Sequence, residues 1–185
     1  DVYKRQRLDG AEIATATKRE FHPVRKRIQV VFQDPYRSLN ARIRVGDSIV
    51  EGMRNFGVPE AEARARAVEL LDIVGLGADT MERYPHQFSG GQRQRICIAR
   101  ALALRPDILI ADEAVSALDV SVQAQVLELI EDIRTRTDTA VLFITHDLRV
   151  AAQICNSIVV MKFGQIVEAG CLLYTSDAAD EGLGV

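Results

Sequence analysis

Two adjacent carboxylates, Asp112 and Glu113, end the apolar run Asp107-Ile-Leu-Ile-Ala. Paired acids at the end of a buried strand suit phosphoryl transfer. Magnesium takes a hard carboxylate oxygen, and a second carboxylate polarises the attacking water. Successive strand side chains point to opposite faces, so the two acids are expected to address different spots. Upstream, Ser89-Gly90-Gly91-Gln92 reads as the opening of a helix. N–H groups at a helix start attract anions, and glycines let a phosphate approach closely. The plainer reading is a serine N-cap. Gln33 follows the β-branched run Ile28–Phe32, and His146 follows Ala140–Ile144 and Thr145. Both stand where α/β sheets place ligand groups, beyond a strand's carboxyl end. There His146 could hydrogen-bond a terminal phosphate, although a lone histidine is more often structural. Asp119, in Ser116-Ala-Leu-Asp119, could be a turn or helix cap. Arg93, Arg95 and Arg100 read as solvated helix charges, and Cys97 and Cys155 as small core residues.

The elements that must position these groups alternate between strand and helix. Arg7–Gly10 reads as a strand end with an Asp-Gly turn. Residues 11–26 read as polar and irregular, a short helix and a loop, with Pro23 limiting any helix. Strands are expected at Ile28–Phe32, Asp107–Glu113 and Ala140–Ile144, and short ones at Ser157–Met161 and Gln165–Glu168. Helices are expected at Val45–Arg54, Pro59–Val74, Val120–Thr135 and Leu148–Cys155. Ala63, Ala67, Leu70, Leu71 and Val74 recur at helical spacing and make one apolar face. A helical insertion therefore separates two α/β segments.

Composition bounds the partners. The chain has 185 residues, 48% hydrophobic, with a formal charge of −3. That is enough for one domain with a core, and it carries no global basic field pointing to nucleic acid. Cys97, Cys155 and Cys171 show no metal spacing, which indicates a reducing compartment. No apolar run is long enough to span a bilayer.

Order and spacing decide among the weak signals. A glutamine after a strand, a helical insertion, Ser-Gly-Gly-Gln, a strand with Asp-Glu, Ser-Ala-Leu-Asp and a strand with Thr-His occur once each, in that order. This arrangement resembles the ATP-binding subunits of ABC transporters over nearly all of residues 7–170. The resemblance implies an α/β fold of the P-loop NTPase type, a parallel sheet flanked by helices plus a helical subdomain at about residues 41–104. It implies Gln33 as the Q-loop and Ser89, Gly90, Gly91 and Gln92 as the signature motif, here beginning with Phe88. Asp107–Asp112 would be the Walker B strand, Glu113 the catalytic glutamate, Asp119 the D-loop acid and His146 the switch histidine. ATP and Mg2+ would be the cofactors, with Asp112 and Gln33 serving the metal. Two subunits of the family sandwich ATP, the phosphate cradle coming from one and the signature from the other.

Finer wording resembles the oligopeptide/dipeptide importer branch, which includes nickel and glutathione importers. It lies in Val31-Phe-Gln-Asp-Pro-Tyr-Arg-Ser-Leu-Asn40, Tyr84-Pro-His-Gln-Phe-Ser-Gly-Gly-Gln92 and Ser116-Ala-Leu-Asp-Val-Ser-Val-Gln123. The expected partners are a second ATPase subunit, identical or paralogous, transmembrane permease subunits and, indirectly, a solute-binding protein. The expected location is the cytoplasmic face of a bacterial plasma membrane. Other readings are an ABC ATPase of DNA repair or chromosome organisation, and a soluble ribosome-associated ABC protein. The first typically inserts a long coiled coil before the signature, and 34–88 holds no sustained heptads. The second would carry two cassettes.

The pattern GxxxxGK[ST] does not occur: the lysines are Lys4, Lys18, Lys26 and Lys162, and none follows a glycine. The phosphate cradle of the family, the P-loop, is thus absent from these residues. The expectation is a fragment truncated at both ends, the carboxy-terminal extension of the peptide branch also lacking after Gly170, with poor ATP binding of its own and exposed apolar surface. Residues 1–6 can be encoded by a stretch whose reverse complement encodes Cys171–Ser176, and it resembles a transposon-end sequencing adapter. Residues 1–6 and 171–185 are therefore expected to be artefactual. Leaving them out keeps the chain slightly acidic.

Overall fold

The structure, a computed structural model, describes residues 6–171. The segments expected to be adapter-derived lie outside them, apart from Gln6 and Cys171. Arg7–Leu8 (β1) pairs antiparallel with Ala11–Glu12 (β2). Asp9 and Gly10 close the hairpin with φ of 49° and 81°, positive at both positions as a two-residue hairpin turn requires. The irregular segment expected from Ala11 thus begins only after Glu12. Phe21–Arg27 (α1) is a helix despite Pro23. Pro23 is its third residue, in the first turn, where a missing N–H forfeits no helical bond.

Ile28–Val31 (β3) leads into Pro35–Ser38 (α2), Val45–Asn55 (α3), Glu60–Ile73 (α4) and Gly90–Leu102 (α5). Short 3-10 turns at Ala78–Glu82 and Pro85–Gln87 join α4 to α5. Ile108–Asp112 (β4), Val120–Arg136 (α6) and Ala140–Ile144 (β5) follow. The sheet order is β3-β4-β5. β3 and β4 run parallel, Ile28 beside Ile108 and Val31 beside Ala111, so the helices between them form one long crossover.

α5 is the central helix. It packs against α2, α3, α4, α6 and β3. It buries Ile96, Cys97, Ile98, Ala99, Ala101 and Leu102, a helix apolar around most of its circumference. Ile49 of α3, Leu70 and Leu71 of α4, Leu109 of β4 and Ile133 of α6 complete this core. The expected apolar face of α4 is the one it buries.

Packing is close where α3 begins. A Cβ on Gly46 would stand 2.9 Å from the Met81 carbonyl oxygen and 2.8 Å from Met81 Cε. Gly46→Ala raises helix propensity but forces the backbone apart. It is expected to cost about 1–3 kcal/mol, read as a lower urea midpoint at unchanged m-value.

The chain divides into two compact units between Leu142 and Phe143. In the second, Leu148–Ile154 (α7) precedes the antiparallel strands Ser157–Lys162 (β6) and Gln165–Cys171 (β7). Phe163 and Gly164 close this hairpin with φ of 52° and 77°. The pairing shifts register between Val160 and Met161. Val159, Met161, Phe163, Ile166 and Val167 are exposed.

Candidate functional site

Gln33 follows β3, at the carboxyl end of the strand. Its Nε2 donates to Ser116 Oγ at 3.1 Å, and Ser116 Oγ donates to the carbonyl oxygen of Glu113 at 3.0 Å. The loop after β3 and the turn after β4 are thereby joined. Gln33 and Asp112 line one cavity of about 460 Å3 with Phe32, Asp34, Ser38 and Arg100. The Gln33 amide oxygen takes no hydrogen bond among the described residues. Asp34 is occupied locally, its carboxylate accepting from Tyr36 N at 2.8 Å at the start of α2.

Glu113 corrects the strand expectation. β4 ends at Asp112, and Glu113 has a φ of 47°. The two acids are set apart by a left-handed turn residue, not by strand alternation. A non-glycine residue held there stores strain, a frequent feature of reactive sites. Ser116 N and Oγ both bond the Glu113 carbonyl and hold the turn.

Ser89 is the N-cap of α5, in a reciprocal arrangement. Gln92 N donates to Ser89 Oγ at 3.3 Å, and Ser89 N donates to Gln92 Oε1 at 3.0 Å. The amide oxygen of Gln92 therefore shapes the turn. Gly90 is half-buried and Gly91 is buried against Val122 of α6. Ser89→Ala removes one side of this box and is expected to cost about 1 kcal/mol, seen as a lower thermal midpoint.

The arginines of α5 are not solvated charges. Arg93 is 7% exposed; its Nε donates to the Pro85 carbonyl at 2.6 Å, and its guanidinium lies 3.8 Å from the Tyr36 ring centroid. Arg95 donates to the Val74 carbonyl and to Gln125. Arg100 Nη1 donates to the Ser38 carbonyl at 2.5 Å. The spacing of Arg93, Ile96, Cys97 and Arg100 puts them on one helical face, the signal that places these cations inward. Gln94, unremarked in the sequence, is fully buried, and its Nε2 donates to the Phe32 carbonyl at 3.4 Å. It ties the helix of the Gly-Gly turn to the strand that carries Gln33.

Asp119 occupies the N-cap position of α6, yet its side chain makes no capping bond, and the residue is exposed. His146 stands in the second unit, in the exposed turn between β5 and α7. Asp147 beside it caps α7 by accepting from Arg149 N at 2.9 Å. The hydrogen bond from the Arg149 side chain holds the Asp147 carboxyl below its usual range. Burial pushes the Cys97 thiol up to about 11, consistent with a core residue. No helix among the described residues is long and apolar enough to cross a membrane.

Known proteins are similar to this chain in sequence and fold. The family model described as ABC transporter matches residues 4–116. A putative peptide import ATP-binding protein of Brucella ovis is 50% identical over 162 residues, 87% of this chain and 51% of that protein. A glutathione import ATP-binding protein of Salmonella choleraesuis is 52% identical over 164 residues, 88% of this chain and 26% of that protein. The chain thus spans about half the length of the Brucella relative. Among solved structures, cbiO1 from Clostridium perfringens, part of an ABC transporter complex, superposes with a TM-score of 0.82 at 26% identity, covering 94% of this chain and 68% of that one. A dimeric ATP-binding cassette bound to ADP and Pi gives 0.77 at 28% identity, covering 89% and 72%.

Proposed function

The chain belongs to the ABC transporter family, and we propose that its parent is the ATP-hydrolysing subunit of a bacterial importer for oligopeptides or dipeptides. The observation that carries this is the Gln33–Ser116–Glu113 connection beside the cavity that Gln33 and Asp112 share. It joins the loop after β3 to the turn after β4, next to the candidate groups Gln33 and Asp112, and this supports the reading. The peptide and glutathione import relatives support the solute class.

The residues present fit a magnesium nucleotide in part. Magnesium keeps several waters and takes one or two carboxylates plus substrate phosphates, so it needs no cage of protein ligands. Asp112 and the free amide oxygen of Gln33 would be the share contributed by these residues. When bound, the metal would neutralise charge developing on the phosphates. Glu113 would polarise the attacking water, and His146 would hydrogen-bond the terminal phosphate. Ser89, Gly90 and Gly91 would face nucleotide held by a second ATPase subunit, with Gln92 fixing their turn and Asp119 at the same face.

The parent would act at the cytoplasmic face of the plasma membrane, with permease subunits and, indirectly, a solute-binding protein. The test is MgATP hydrolysis by the parent reconstituted with permeases encoded beside it. Stimulation by a peptide-loaded binding protein is expected. Hydrolysis indifferent to peptide would overturn the solute class, and absence of hydrolysis the activity.

A further inference from the structure

We propose that a second cavity, of about 400 Å3, binds an amphipathic organic anion: an acidic head group on an apolar tail. The cavity lies between α4, the carboxyl ends of α5 and α6, and the segments entering β4 and β5. Its apolar wall is formed by Leu70, Ile73, Leu102 and Ile133. Leu70 and Ile133 belong to the closed core, whereas Ile73 remains 42% exposed. An apolar wall of this size with a few convergent polar groups is the usual make-up of a small-molecule site.

The polar lining is three arginines, two aspartates and the two threonines Thr137 and Thr139. Arg66, Arg105 and Arg136 line the cavity, against Asp107 and Asp138. Asp107 is already engaged by Arg27 Nε at 2.5 Å. Arg136 is paired with Asp132 at 3.0 Å. The other two arginines are under-used. Arg66 reaches Glu69 only at 3.3 Å, and its Nε is buried with no hydrogen-bond partner among the described residues. A buried donor left unpaired is costly, and native structures rarely keep one without a reason. The Arg105 side chain makes no ion pair or hydrogen bond among the described residues, and its backbone is left-handed, with a φ of 51°. A carboxylate or sulfonate can pair with such guanidiniums while its tail covers the apolar wall.

This site is separate from the one above. Asp107 precedes β4, whose far end carries Asp112. At about 3.3 Å per strand residue the two ends lie roughly 16 Å apart. One wall belongs to the helical insertion and the others to the elements around the sheet, so an occupant would bridge α4 to the core.

The probe is decanoate, titrated into the 185-residue chain labelled at Leu, Ile and Val methyls and followed by NMR. Decylammonium serves as the charge-inverted control. Saturable shifts are expected at Leu70, Ile73, Leu102 and Ile133 with decanoate only. Arg66→Gln and Arg105→Ala are each expected to raise Kd about tenfold, the loss of one charge-assisted contact. Arg105 is exposed, so its variant tests the site even where the Arg66 variant misfolds. Three results would overturn the proposal: an equal response to decylammonium, shifts centred on Ile158 and Ile166 of the exposed hairpin, or no shift.

Discussion

Glu113→Gln in the parent protein is expected to lower MgATP hydrolysis by about 10²–10⁴-fold, the usual worth of a positioned general base. The substitution is chosen to spare the scaffold. Ser116 bonds the backbone carbonyl of Glu113, not its carboxylate, and glutamine has the same length. The turn and the link to Gln33 should therefore survive. The capacity to take a proton is lost, so hydrolysis should fall while nucleotide-driven association of subunits persists. Steady-state phosphate release and sedimentation in MgATP check the two halves. A fall below tenfold would place the base elsewhere.

Gly91→Ala is the second large effect. A Cβ there would stand 2.3 Å from Val122 Cγ1 and 3.6 Å from Val122 Cβ. Val122 is β-branched and on a helix, so its side chain has little rotamer freedom to retreat. The start of α5 must then move away from α6, carrying the Ser89–Gln92 turn with it. A loss of about 1–3 kcal/mol is expected in the chain, measured by urea unfolding. Adding Val122→Ala removes the clashing methyl and should return most of that loss, a non-additivity expected only of residues in contact. Additive losses would contradict the packing described. In the parent, nucleotide-driven association should fall with Gly91→Ala and recover in the double variant.

Much of this arrangement was legible in the residues. The β-branched runs became β3, β4 and β5, and the apolar spacing of Ala63, Ala67, Leu70 and Leu71 marked the buried face of α4. The Ser-Gly-Gly-Gln turn was readable because capping chemistry is local. What was not legible depended on distance along the chain or on backbone geometry. Gln33 and Ser116 are 83 residues apart, and no local pattern announces their bond. Nothing in a glutamate's identity signals the positive φ of Glu113. The arginines of α5 carry charge that suggests solvent, yet Arg93 and Arg100 share a face with Ile96 and Cys97 and bond backbone carbonyls. The short helix expected around Pro23 is present, and Pro23 stands in its first turn, where it is tolerated.

We propose that these residues hold the signature turn and the hydrolytic acids of an ABC ATPase site, while the main phosphate cradle is not among them. Calorimetric titration of MgATP into the 185-residue chain tests it most directly. No saturable heat is expected, or a Kd above roughly 1 mM, weaker than about −4 kcal/mol. A micromolar Kd would contradict it, since the chain would then cradle the phosphates without a GxxxxGK[ST] sequence.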